Sequence, residues 1–353
     1  MRRQVESSGG AVGHRLRHRT RGVVVIGSAV ALLLAGCSGD APESGAPSDP
    51  AAAVDGGATS GSGGPDPVDA TAGPLPPDDS DVTTAEPEVI ELPRGGTEIF
   101  PEFRLFGYSG LPGSPGMGRL GIGDLDEKVE EMEERGEEYA GDRPILPVLE
   151  LIATVVHPVP GADGMFRTYI PESIIQDHLD AARRHDGILL LNIQPGRADF
   201  IDEVRHYEKW LVEPDVGVAL DPEWAVSEGQ IPGRVYGSTT GAELGEVAEY
   251  LSGLVEDNGL PEKVMVYHQV HPGVVRDELE MEEFPGVVVI KSVDGIGAPS
   301  DKIKTYNLVN ETKPDFVVPG FKLFYEEDLV LGPIMTGAEV LGLDPQPEYI
   351  LFE

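Results

Sequence analysis

The chain has 353 residues, a single cysteine and a formal charge of −36. One cysteine excludes an internal disulfide, and so acidic a chain repels nucleic acid and anionic lipid headgroups. Glycine and proline are frequent, at 45 and 31, but unevenly spread, so the chain divides into segments before a class can be argued.

The first segment, residues 1–36, reads as an export signal. Arg2, Arg3, Arg15, Arg17, Arg19 and Arg21 form a positive stretch ahead of the apolar run Val23 to Leu34. That run is short for a membrane-spanning helix. It ends in Leu34-Ala35-Gly36-Cys37, and the only cysteine of the chain closes it. This tetrapeptide resembles the bacterial lipobox. The resemblance implies that Cys37 is lipidated, and that the protein is exported and held on the outer face of the cell membrane. Cleavage before Cys37 would remove six arginines and one glutamate, taking the formal charge from −36 to −41. That balance argues against a polyanionic ligand. Residues 37–98 follow as a Gly, Pro, Ala, Ser and Asp segment with few large apolar residues. About a dozen acids there face one base, Arg94. Such a segment buries too little surface to offset its ordering entropy, and reads as a disordered, extended tether.

From residue 99 to 353 short apolar runs alternate with amphipathic stretches of helical length. Strands are expected at Arg104–Tyr108, Ile145–Glu150, Ile188–Ile193, Val216–Leu220, Val264–Tyr267, Val287–Ile290, Phe316–Phe324 and Tyr349–Phe352. Helices are expected at Leu125–Tyr139, Glu172–Arg184, Phe200–Leu211, Gly241–Asn258, Val274–Met281, Asp301–Glu311 and Thr336–Gly342. Runs such as "ILLLNI" and "VVVI" are continuous rather than alternating, as in strands covered on both faces. Eight units in about 250 residues predict an α/β fold of the (β/α)8 barrel type. An open doubly wound sheet is the rival. It needs a phosphate-cradling loop after the first strand, and "GYSGLPGSPGMGRLGIG" lacks that pattern. Its prolines at 112 and 115 suit a mobile lid. No helix is expected after the last strand, so an eighth helix is expected to be missing, with the seam either covered by the segment before Arg104 or thinly covered.

In a barrel the strand C-termini share one face, where catalysis sits. The second strand supplies Glu150, and the third Asn192 and Gln194 with Arg197 beyond. The fourth supplies Asp221, Glu223 and Trp224, and the fifth His268 and Gln269. The sixth supplies Lys291 and Asp294, the seventh Lys322, and the eighth Tyr349 or Glu353. Asp221 and Glu223 are two apart and would share a face if the strand ran on through Pro222. Paired carboxylates suit glycoside hydrolysis, one acid protonating the leaving oxygen while the other attacks or activates water. They are the favoured catalytic pair, with Glu150 and Asp294 in reserve. Asn192, Gln194, Arg197, Trp224, His268, Gln269, Lys291 and Lys322 are candidates for binding and orienting substrate, and Lys291 and Lys322 also for neutralising Glu150 and Asp221. Tyr108 and Tyr236 are further candidates for lining the mouth.

Asp221-Pro222-Glu223, at the end of a fourth barrel strand, resembles the Asp-x-Glu ending of the chitinase-type motif of barrel glycoside hydrolases. The upstream aspartates and glycines of that motif are missing from "VGVAL". As a whole the chain resembles exported actinobacterial-type lipoproteins with an uncharacterised barrel domain. The resemblance implies a surface-tethered hydrolase acting on a polysaccharide or glycoconjugate, with a carbohydrate or small molecule as partner and no cofactor. His268 and His271 are three apart, but Pro272 follows at once, so no metal site is assigned. Two other readings stay open: a non-catalytic ligand-binding or envelope-structure lipoprotein, and a metal-assisted phosphodiesterase.

Overall fold

Eight strand runs, most of them apolar and several rich in Val, Ile and Leu, find cover on both faces by closing on themselves. The structure, a computed structural model, describes residues 89–353. The expected leader, Cys37 and most of the tether lie outside the described residues. The strands are β1 (Arg104–Gly110), β2 (Ile145–Val156), β3 (Ile188–Ile193), β4 (Val216–Leu220), β5 (Lys263–Gln269), β6 (Val287–Val293), β7 (Val318–Leu323) and β8 (Tyr349–Phe352). Each pairs in parallel with the next, and β8 pairs with β1, Leu105 opposite Tyr349. The barrel is closed, which excludes the open doubly wound sheet.

The helices are α1 (Leu125–Ala140), α2 (Glu172–Arg184), α3 (Phe200–His206), α4 (Glu208–Leu211), α5 (Gly241–Asn258), α6 (Pro299–Asn310), α7 (Tyr325–Leu331) and α8 (Gly337–Leu341). Local chemistry sets their ends. Asp124 accepts the Glu127 amide at the start of α1, Thr240 and Glu243 form a capping box on α5, and Gly259 closes α5 at φ 61°. None of the described helices is long and apolar enough to cross a membrane.

Two expectations fail here. Val274–Met281 is not helical. Val275–Arg276 forms a short strand beside Thr239–Thr240, and Asp277, at φ 48°, turns the chain left-handed ahead of a single turn at Glu278–Glu280. No α-helix therefore separates β5 from β6, whereas α7 was not foreseen. The second failure concerns the seam at β8. It is not covered by the segment before Arg104. The Phe352 ring packs against Phe106, Tyr139 and Tyr325 at centroid distances of 5.7, 5.6 and 4.9 Å, and the Tyr139 hydroxyl bonds the Met335 carbonyl ahead of α8. Side chains of α1 and α7 thus close it. The glycine-rich stretch after β1 is held at Gly110, Gly118 and Gly121, while a Cβ on Gly113, Gly116 or Gly123 would meet nothing within 4 Å. A Cβ on Gly118 would stand 2.4 Å from the Ser109 carbonyl oxygen.

The segment before β1 closes the floor of the barrel instead. Leu92, Ile99 and Phe103 pack under Leu105, Leu146, Val148, Ile188, Leu190, Ala219, Val264, Val266, Ile290, Tyr349 and Leu351. Arg94 fixes the approach through the carbonyls of Ile145, His185 and Asp186 and the Glu133 carboxylate. Packed chain therefore begins ahead of residue 99, inside the stretch read as tether. A second, larger apolar shell joins the outward strand residues to the helices. At about 25 cal/mol per Å2 of apolar surface, these two shells supply the main stabilisation of the fold.

Candidate active site at the barrel mouth

The barrel interior changes character halfway up. Below are the aliphatic residues of the floor. Above, every strand turns a polar side chain inward: Ser109, Glu150, Asn192, Asp221, His268, Ser292 with Asp294, Lys322, and Tyr349 with Glu353. Strand pleating produces this, because residues two apart share a face. Val264, Val266 and His268 lie on one face of β5, and Ile290, Ser292 and Asp294 on one face of β6 and its extension.

These groups form one continuous network. His268 is 0% exposed. Its Nδ1 lies 2.8 Å from Asp294 Oδ2, and its Nε2 lies 3.1 Å from Glu150 Oε1 and 3.9 Å from Asp221 Oδ1, off the line of a hydrogen bond to either. Burial alone would lower the pKa of the imidazole. The Asp294 and Glu150 carboxylates outweigh burial and hold it well above the usual histidine range, as an imidazolium. Glu150 also accepts the Tyr349 hydroxyl at 2.9 Å, Ser109 at 3.2 Å and Asn192 Nδ2 at 3.2 Å. Asp294 accepts Ser292 at 2.8 Å and pairs with Lys322 at 3.2 Å, and Lys322 reaches Glu353 at 2.5 Å. Burial works against both carboxylates, yet His268 and Lys322 prevail and hold Glu150 and Asp294 below the usual range.

Asp221 is held differently. Its nearest cation is His268 Nε2 at 3.9 Å, and its hydrogen bonds come from two amides: Asn192 Nδ2 on Oδ1 at 3.1 Å and Gln194 Nε2 on Oδ2 at 3.2 Å. The Gln194 amide is oriented by the Val156 N–H, which donates to its Oε1. Burial pushes the Asp221 carboxyl up to about 6, with Glu150 and Asp294 adding to it against His268 and Lys322. Because Asn192 Nδ2 touches both Glu150 and Asp221, their oxygens lie nearer to each other than the about 6.5 Å that separates inverting acids.

Glu223 comes near Asp221 by a turn, not by strand alternation. The strand stops at Leu220, and Pro222–Trp224 forms one 3-10 turn, with Trp224 N–H bonding the Asp221 carbonyl. Glu223 Oε2 is shut off from solvent with no hydrogen-bond partner. Burial raises the Glu223 carboxyl well above its usual range, and Asp221 and Asp294 raise it further. The turn therefore sets two unlike acids side by side, one clasped by amides and one left with a bare oxygen.

The other candidates divide between mouth and surroundings. Lys291 does not face the mouth. It points out of the barrel, 0% exposed, onto Glu278 at 2.8 Å and the Val309 carbonyl at 2.6 Å, while Tyr267 and Thr312 complete the Glu278 carboxylate. This buried clip stands where a helix between β5 and β6 was expected, and Glu278 was not singled out in the sequence. Gln269 also points outward, to the carbonyls of His271 and Pro272. The Lys partners differ from expectation as well: His268 is the cation on Glu150, and Lys322 serves Asp294 and Glu353. Arg197 stacks over Phe166 at 4.4 Å and bonds the Gln230 carbonyl, tying two loops at the rim. Trp224 is half-buried beside Gly233. Tyr108 is buried outside the barrel on Tyr325 and Glu131, and Tyr236 is 64% exposed. His271 is exposed and accepts the Gly273 amide.

Among the described residues, no three His, Cys, Asp or Glu side chains stand as metal ligands would. Glu150, Asp294 and His268 are taken up with one another, and Asp221 with amides. No known family model matches the sequence, and a search of curated proteins found no match.

Proposed function

We propose that the mouth is the active site of a hydrolase for the glycosidic bonds of an envelope or environmental polysaccharide, exported and anchored through Cys37. The observation that carries this reading is the pairing of unlike acids on one turn. Asp221 is clasped by Asn192 and Gln194, which give it protons to share but none to accept. Glu223 holds a sealed, unpartnered Oε2 beside it. Two carboxyls whose surroundings push them apart take opposite roles. Glu223 gives its proton to the leaving oxygen as the glycosidic C–O bond breaks, and ionised Asp221 faces the anomeric carbon or the water that replaces the leaving group. His268 is sealed beneath the acids and supports Glu150 and Asp294 without touching substrate. Arg197 and Trp224 at the rim would orient the sugar chain.

The test is a screen of polysaccharides with the wild type, Asp221→Asn and Glu223→Gln. Loss of about 100- to 10,000-fold in kcat is expected in each variant, and full activity in either would sink the assignment. A non-catalytic binding lipoprotein is the second reading, favoured by the closure of the Glu150–His268–Asp294–Lys322 network. Oligosaccharide binding with no cleavage in any preparation would select it.

A further inference from the structure

The proposed reaction needs a substrate against Asp221, yet Asp221 is 5% exposed and Asn192 1%, and Glu223 Oε2 is closed off from solvent. A piece of the rim must move before a sugar can reach them. Most of the rim is pinned. The stretch after β1 is held at Gly110, Gly118 and Gly121. The arm after β2 returns through Arg167–Tyr169, which pairs antiparallel with residues 154–156. The loop after β5 is held by the pairing of Val275–Arg276 with Thr239–Thr240 and by Glu278 on Lys291. Beyond β6, the Asp328 carboxylate takes the Gly297 N–H and Lys302, fixing that loop to α7.

The segment 225–238 is tied more lightly. Its ends meet on the acid turn: the Gly237 N–H donates to the Glu223 carbonyl at 2.6 Å, and the Ser238 N–H to the Ala225 carbonyl at 2.9 Å. Inside it the chain turns on itself, with the Gln230 N–H on the Ser227 carbonyl and the Arg234 N–H on that of Ile231. Residues 227–229 and 233–236 are exposed. Compact loops with closed ends supply many active-site lids. Beyond the neck, and among the described residues, two hydrogen bonds join it to the loop after β3: the Val226 N–H on the Gly196 carbonyl at 2.8 Å, and Arg197 on the Gln230 carbonyl at 2.9 Å. The segment therefore spans the ends of β3 and β4, the strands that supply Asn192 and Asp221. The Val226 bond lies beside the neck, so the Arg197 bond is what holds the body of the loop down. Arg197 stacks on Phe166 and keeps a buried Nε without a partner. We infer that segment 225–238 is a lid and Arg197 its latch. Substrate reaches Asp221 when the Arg197–Gln230 bond parts and the lid lifts about its neck. The inference rests on the mouth being an active site.

Carbodiimide coupling of the full chain to a small amine, read residue by residue by peptide mass spectrometry, tests this without a substrate. Asp221 should label slowly in the wild type. Arg197→Gln removes a hydrogen bond from a charged donor, so Asp221 should label about tenfold faster in it. Arg197→Lys keeps the charge but loses the planar fork, and should fall between the two. Glu278, buried outside the barrel, should stay unlabelled in all three, which shows that the barrel is intact. Hydrogen exchange of the wild type supplies an arm that needs no variant: the amides of residues 226–238 should exchange about 100-fold faster than those of β4. Unchanged Asp221 labelling in both variants, labelling of Glu278 in step with Asp221, or protection of 226–238 equal to that of β4 overturns the inference. The hydrolase reading is tested apart from it. If Asp221 labelling follows the latch but no polysaccharide is cut, the lid stands and the hydrolase falls. If polysaccharide is cut while Arg197→Gln labels as the wild type does, the hydrolase stands and the lid falls.

Discussion

His268→Phe keeps the ring volume but removes the one cation between Glu150 and Asp294. Both carboxylates would retain other partners: Tyr349, Ser109 and Asn192 on Glu150, and Ser292 and Lys322 on Asp294. The loss is therefore that of one partner from a buried ion cluster, about 3–5 kcal/mol. The pH dependence follows from the shifts. The imidazole pKa is raised on folding, so its contribution is full below the unfolded value of about 6.5 and is lost as pH climbs through the folded one. The carboxyls of Glu150 and Asp294 are lowered, so theirs is present above about pH 4 and lost as pH falls through the folded values. The gap between wild type and variant should be widest near pH 5–6 and narrow on either side. Urea unfolding at several pH values, followed by tryptophan fluorescence, measures it. A loss under about 1 kcal/mol at pH 5.5, or a gap that widens toward alkaline pH, would refute the account of the network.

Two other predictions concern the same interior. Asp221 has its carboxyl raised from 3.8 to about 6, so folding favours the protonated form and stability falls as pH climbs through that range. Asp221→Asn should be more stable than wild type at pH 8, by about 1–3 kcal/mol, with no gain at pH 3.5; equal unfolding midpoints at both pH values would contradict this. At the floor, Leu92→Ala should cost about 2–5 kcal/mol in urea unfolding, because a buried leucine leaves a cavity the barrel cannot collapse into; a cost under about 1 kcal/mol would mean that the segment does not seal the floor.

The barrel was legible because its eight strands are covered on both faces and therefore write themselves as continuous apolar runs. The same continuity hid which end residues face inward. "VVVIKSVD" carries no alternation to mark the inner face, so Lys291 was taken with Asp294 although they are three apart and point to opposite sides. Fixing the face on Asp294 would have selected Ser292 and rejected Lys291; fixing it on His268 would have rejected Gln269. Glu278 was hidden by a different cause. Its stretch has helical spacing, but Pro272-Gly273 and the left-handed Asp277 break the helix, and its partner Lys291 was assigned elsewhere. Asp221 and Glu223 were found as a pair, though for a reason the pleat does not supply, since a turn brings them together. The segment before Arg104 was set at the seam instead of the floor, and Leu92 was read as tether because its stretch shares the composition of the chain before it.

That floor has a mechanical side. Leu92, Ile99 and Phe103 lie within a dozen residues of β1, and Arg94 bolts the stretch to the ends of β2 and α2. A pull applied to the chain upstream of Leu92 would load those bonds at the bottom of the barrel first. The polar layer at the top, a full strand length away, would keep its geometry until the floor had given way.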